Sequence, residues 1–122
     1  MVKIDLKKLV KSFKYAFNGL VEARNEQNLI IHFIIMICVI ISGIFFKISK
    51  IEWYICIILF ALVISMELIN TAIETVVDLI TLEKNPLAKK AKDVSASAVL
   101  VSAIASMIIG LLIFVPKILI LF

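Results

Sequence analysis

Glu67, Asn70, Glu74 and Asp78 stand three, four and four residues apart in an otherwise apolar stretch. At about 100° per residue, a helix brings all four within an arc of roughly 80°, with Thr71 at its edge. One face then carries three carboxylates, an amide and a hydroxyl over about three turns. Carboxylates in that pattern can take a proton from a hydroxyl or hold a divalent cation beside phosphate. A solvated face of a soluble helix would look similar. Here, however, the preceding run from Trp53 to Met66 has Ser65 as its one clearly polar residue. Ionisable groups at the end of such a run are costly in lipid and by default mark a functional site.

The rest of the chain must bring that face to a membrane. The sequence has 122 residues, 63% of them hydrophobic, and a mean hydropathy of +1.15. This is too apolar for a soluble domain of its size and predicts an all-α integral membrane protein, residues 1–122 forming one domain. Three apolar segments, about 29–46, 51–82 and 94–121, approach or exceed the roughly 20 residues of a spanning helix. Residues 1–28 carry several lysines and no cleavable signal pattern. Cys38 and Cys56 lie inside apolar segments and read as buried free thiols.

Residues 4–24 are expected to hold an amphipathic surface helix. Leu6, Leu9, Val10, Phe13, Ala16, Phe17 and Leu20 form its apolar stripe, opposite Lys7, Lys8, Lys11 and Lys14, the pattern of a helix lying in the membrane interface. Arg24 to Asn28 form a polar knot before the first span. His32, the one histidine, reads as a packed, hydrogen-bonded interfacial residue rather than a metal ligand, because a metal site would want a second. Lys47 to Glu52 reads as a tight turn, followed by Trp53 and Tyr54 at an aromatic belt.

The second helix, if continuous to Leu82, is about 48 Å long and outruns a hydrocarbon core of about 30 Å. Its acidic half would then reach from the inner leaflet into water, Glu67 deepest and Asp78 shallowest. Asn85-Pro86 breaks the chain within a loop drawn from Glu83 to Asp93. Asp93 would be a first-turn acid of the third helix. Ala98, Ser102, Ser106 and Gly110, with Ser95 and Ala105 nearby, form a small-residue packing seam. Three spans shield so many polar groups poorly, so a homo-oligomeric helical bundle is expected.

Charge fixes the orientation. Six basic residues precede the first span and Lys84, Lys89, Lys90 and Lys92 follow the second, making ten of the thirteen. The positive-inside rule puts the N-terminus and the 83–93 segment in the cytoplasm and the C-terminus outside. Lysines facing anionic lipid account for these charges without a nucleic-acid partner.

Glu67-x-x-Asn70-x-x-x-Glu74-x-x-x-Asp78, followed by Lys92-Asp93, resembles the prokaryotic diacylglycerol kinase family. Glu26-x-Asn28-x-x-x-His32 and Ala91-Lys92-Asp93-x-x-Ala96 are similar to its Gram-positive branch, the undecaprenol kinases. The resemblance covers essentially the whole chain, and the second-helix motif is highly specific. It implies a homotrimeric lipid kinase in the cell membrane, using ATP and Mg²⁺, with active sites shared between protomers. It implies that Glu67 is the general base, that Glu26 and Glu74 hold metal and nucleotide phosphates, and that Asn70 positions Glu67 and the lipid hydroxyl. It assigns Asp78, Lys92 and Asp93 to nucleotide binding, together with Tyr15, Glu83, Lys84 and Asn85. The chain departs from the branch pattern at Ser97, usually glycine, and Ile30, usually basic. Its Gly19-to-Glu26 spacing is one residue short, which bears on Tyr15.

The expected activity is therefore phosphorylation of a lipid alcohol, undecaprenol by the branch resemblance, with diacylglycerol as the alternative acceptor. Phosphoryl transfer needs positioning, charge neutralisation and an oriented nucleophile. The chain has no Walker A motif, kinase Gly-rich loop or His-Arg-Asp signature, so scattered helix residues must build any nucleotide site. A small cation channel and a non-catalytic membrane scaffold are the other classes considered. The apolar half from Trp53 to Met66 offers a channel no polar path.

Overall fold

The computed structural model describes residues 2–122 as four helices: α1 (Leu6–Ala23), α2 (Gln27–Phe46), α3 (Lys50–Ile80) and α4 (Pro86–Leu121). The last three are each long and apolar enough to cross a membrane, and the chain is a membrane protein. Helix α1 starts where the side chain of Asp5 accepts hydrogen bonds from the N–H groups of Lys7 and Lys8. Leu6, Leu9, Val10, Phe13, Phe17 and Leu20 remain exposed along it. An apolar stripe with little cover from its own chain suits a helix lying on lipid.

Between α2 and α3 the chain reverses in three residues. Lys47 takes a left-handed conformation at φ 52°. Its N–H donates to the Ile44 carbonyl, and the N–H of Ile48 donates to that of Gly43. This pair of bonds is a Schellman closure, here built without the usual glycine. Ser49 then opens α3 with a reciprocal capping box to Glu52, satisfying two otherwise orphaned N–H groups. Glu52 also accepts from Lys117 Nζ at 2.7 Å, which ties the start of α3 to the end of α4.

Close to this turn lies the apolar core. Ile48, Cys56 and Ile113 are buried, with Val39, Phe46, Trp53, Phe60, Ile109 and Phe114 packed on them. Trp53 turns inward rather than serving only as an interface anchor. A Cβ on Gly43 would meet Trp53 Cη2 at 2.7 Å and Cζ2 at 2.9 Å, so the indole needs glycine there. Gly43→Ala should cost about 1–3 kcal/mol by overpacking. A thermal melt in detergent checks this against Gly19→Ala, whose added methyl would meet nothing within 4 Å. Equal melting temperatures for the two variants would show that the indole can move aside.

The third span begins earlier than expected. Helix α4 starts at Pro86, not near residue 94, because Asn85 caps it and proline at the first turn needs no N–H partner. The connection is thus only 81–85, and Lys89, Lys90, Lys92 and Asp93 lie on the helix rather than in a loop. Asp93 is in its third turn, not its first, and faces Lys89 at 2.6 Å. Helices α1 and α3 also end slightly short of the expected residues 24 and 82. Cys56 is buried as expected, but Cys38 is exposed.

Helix α3 packs chiefly on α4 and more lightly on α2, with a small contact to α1. The buried line of α4 is Ser95, Val99, Ser102 and Ile113, whereas Ala98 is exposed. A strict four-residue step advances about 40° around a helix each time. The small residues therefore wind off the α3 contact, and only the middle of that series faces it.

Candidate active site

The polar face read from the sequence turns into the protein. Glu67 is 3% and Asn70 4% exposed, Glu74 is half-buried and Asp78 is exposed. Helical spacing sets this gradient. Glu67 and Asn70 lie where α3 is covered by its neighbours, while Asp78 lies in the last turn of α3 and opens to the surface.

Glu67 faces α2. His32 Nε2 lies 3.6 Å from Glu67 Oε2, too far for a hydrogen bond. Among the described residues Oε2 is buried and has no hydrogen-bond partner. Glu74, Asn28 and Glu26 are the other polar groups near enough to act on this carboxyl. Buried carboxylate oxygens ordinarily have partners, and an orphan calls for an explanation.

Asn70 links α3 to α4. Its Nδ2 donates to Glu74 Oε1 at 3.3 Å, and its Oδ1 accepts from the Ser95 hydroxyl at 2.6 Å. Asn70 thus bonds Glu74 and Ser95, with no bond from its side chain to Glu67 among the described residues.

Toward the end of α3 is a cleft of about 650 Å³. Asp78, Glu83, Lys84, Asn85, Lys92 and Asp93 all line it, bringing together six of the residues assigned to nucleotide binding. Lys92 Nζ pairs with Asp78 Oδ1 across the mouth. The Asn85 side chain already accepts from the N–H groups of Leu87 and Ala88, so much of its role is capping. Tyr15, by contrast, is exposed on α1 and lines neither this cleft nor the groove described next. Glu26 is exposed at the start of α2.

A second hollow, of about 610 Å³, runs between α2, α3 and α4 from His32 toward Phe114. Apart from His32, Ser42 and Ser106, its lining is apolar, with thiols at Cys38 and Cys56. It begins at His32, whose Nε2 lies 3.6 Å from the Glu67 carboxyl, although Glu67 itself does not line it.

An apolar groove, a buried carboxyl and a cleft of basic and acidic groups thus succeed one another along α3. The family model for prokaryotic diacylglycerol kinase matches residues 14–114. The chain belongs to the prokaryotic diacylglycerol kinase family. It is a lipid kinase, and the family implies the use of ATP. It is 49% identical over 114 residues to an undecaprenol kinase of Bacillus subtilis, covering 93% of each chain. It is 37% identical to a diacylglycerol kinase of Synechocystis, over 91% of this chain and 65% of the relative. A diacylglycerol kinase of Haemophilus influenzae is 36% identical, over 77% of this chain and 80% of its own.

Sequence reasoning missed two members of the site. His32 was expected to be a packed, hydrogen-bonded interfacial residue; what spacing did not show is that its Nε2 lies 3.6 Å from Glu67 Oε2. Ser95 was grouped with the packing seam. It lies 25 residues from Asn70, so no local spacing could pair them.

Proposed function

We propose that this lipid kinase transfers the γ-phosphoryl group of ATP to the hydroxyl of undecaprenol at the cytoplasmic face of the cell membrane. The observation that carries this reading is the buried, unpartnered Glu67 Oε2 beside His32, the residue at which the apolar groove begins. The first isoprene units of a long chain can lie in the groove with the terminal hydroxyl at its His32 end, where a shift of the His32 side chain would let the hydroxyl donate to that oxygen. Glu67 accepts the hydroxyl proton as the lipid oxygen bonds to the γ-phosphorus. The bond from that phosphorus to its β,γ-bridging oxygen breaks, and ADP leaves. Asp78, Lys92 and Asp93 hold the nucleotide in the cleft, and its phosphates extend toward Glu74.

The donor set fits Mg²⁺. Among the described residues no three His, Cys, Asp or Glu side chains converge as a cage. Mg²⁺ takes one or two carboxylates beside phosphates and water, and Glu74 and Glu26 supply them. When bound, the ion neutralises charge on the phosphates.

Lysine distribution supports a cytoplasmic N-terminus and 83–93 segment, with the C-terminus outside. A homotrimer with shared sites is supported by surfaces the single chain leaves uncovered. Ala98 is exposed, the space beside Gly110 is open, and Glu26 is not enclosed by its own chain.

Diacylglycerol is the second reading, favoured by the names of the Synechocystis and Haemophilus relatives. Purified protein in mixed micelles with Mg²⁺ and ATP should be offered equal undecaprenol and diacylglycerol. Undecaprenyl phosphate should dominate by at least about tenfold, a difference of 1.4 kcal/mol in transition-state binding. Dominant phosphatidic acid would transfer the chemistry to the second reading. No product from either, with the protein folded, would overturn the proposed reaction.

A further inference from the structure

We propose that Ser95 is a positioning residue, which orients the Asn70 amide so that Glu74 keeps one oxygen bonded and the other aimed at metal-bound nucleotide. The Ser95 hydroxyl has one proton and two acceptors in reach, Asn70 Oδ1 at 2.6 Å and the Lys92 carbonyl at 3.0 Å. An amide can turn over, exchanging its oxygen for its NH₂. An ionised Glu74 settles which way it stands, because the carboxylate accepts only from Nδ2. Oδ1 must then face Ser95, and Ser95 must donate to it. The bonds run in one direction, from the Ser95 O–H to the Asn70 carbonyl and from the Asn70 N–H to Glu74 Oε1. Ser95 is 7% exposed and Asn70 4%, so water does not readily replace the hydroxyl. Groups that hold metal-ligating carboxylates by such bonds typically alter metal affinity about 10- to 100-fold when removed.

The inference rests on the proposed metal role of Glu74, but its test reads binding rather than turnover. The probe is Mn²⁺ with a non-hydrolysable ATP analogue, its dissociation constant measured by electron paramagnetic resonance in micelles. Ser95→Ala should weaken Mn²⁺ binding about 5- to 20-fold, the lower part of the range for such supporting groups. Ser97→Ala, at an exposed serine bonded among the described residues only to the Val94 carbonyl, should leave it unchanged. In an Asn70→Ala background the Ser95→Ala effect should fall below about twofold, since a residue acting through Asn70 has nothing left to act on. Ser95→Cys fills nearly the same space with a poor donor. It should reproduce the weakening, and it replaces the alanine variant if a thermal melt shows that variant unfolded. Unchanged Mn²⁺ affinity in the folded variants, or an equal loss with and without Asn70, would overturn the relay. Wild-type protein that binds Mn²⁺ and analogue but phosphorylates no lipid would instead sink the proposed reaction and leave the relay standing.

Discussion

Glu67→Gln should lose about a hundred- to ten-thousandfold of turnover, the usual weight of a positioned general base. Gln has nearly the shape of Glu, so the packing against α2 survives, and the substitution changes charge and basicity alone. The amide can hydrogen-bond a hydroxyl but cannot take its proton at neutral pH. The nucleotide cleft lies farther along α3, beginning near Val77, about 15 Å from Glu67 along the helix axis. Nucleotide affinity should be largely retained, because Asp78, Lys92 and Asp93, the groups proposed to hold the nucleotide, line that distant cleft and are untouched by the substitution. Equilibrium dialysis with labelled nucleotide and a lipid phosphorylation assay separate the two effects. Wild-type turnover in this variant would remove Glu67 from the proton transfer. Lost turnover together with lost nucleotide binding would point to a collapsed site instead.

Much of the site was legible because it is written on one helix. Glu67, Asn70, Glu74 and Asp78 are related by helical geometry alone, so their common face follows from spacing. Their gradation in exposure was also readable, from the apolar run that precedes Glu67 and the charged segment that follows Asp78. Contacts between helices were a different matter. His32 and Glu67 are 35 positions apart, Ser95 and Asn70 are 25, and Lys117 and Glu52 are 65. Hydropathy finds the spans but does not fix their rotation about their own axes. That rotation decides whether a serine packs, donates or faces lipid.

Element boundaries failed where local chemistry competed with hydropathy. An apolar window starts the third span after Asp93, since Lys89 to Asp93 are charged or small. The backbone begins the helix at Pro86 because Asn85 supplies a cap and proline a preset φ. The charged turns that result carry Lys92 to Asp78 and Lys89 to Asp93, and they form one wall of the cleft. The Lys89 pair is largely exposed and contributes little to stability. Its consequence is geometric: Lys89, Lys92 and Asp93, three charged side chains of the cleft, stand at fixed helical intervals rather than on a loop.

Glu74→Gln should also suppress turnover by about a hundredfold or more, but through metal rather than proton transfer. Gln at this position can still accept from Asn70 Nδ2 through its carbonyl oxygen, so the bond at 3.3 Å can persist. What disappears is the negative charge, which a hard divalent cation requires of its few protein ligands. The Mg²⁺ concentration for half-maximal rate should rise by at least about tenfold, in line with the sensitivity of metal affinity to ligand and near-ligand changes. Titrating Mg²⁺ in the lipid phosphorylation assay gives that number directly. The contrast with Glu67→Gln is the informative part. Loss of the base lowers the rate at every Mg²⁺ concentration, whereas loss of a ligand is partly restored by excess metal. An unchanged Mg²⁺ requirement in Glu74→Gln would confine Glu74 to structural hydrogen bonding with Asn70. The phosphates would then have to be met by Glu26 and the lysines of the cleft.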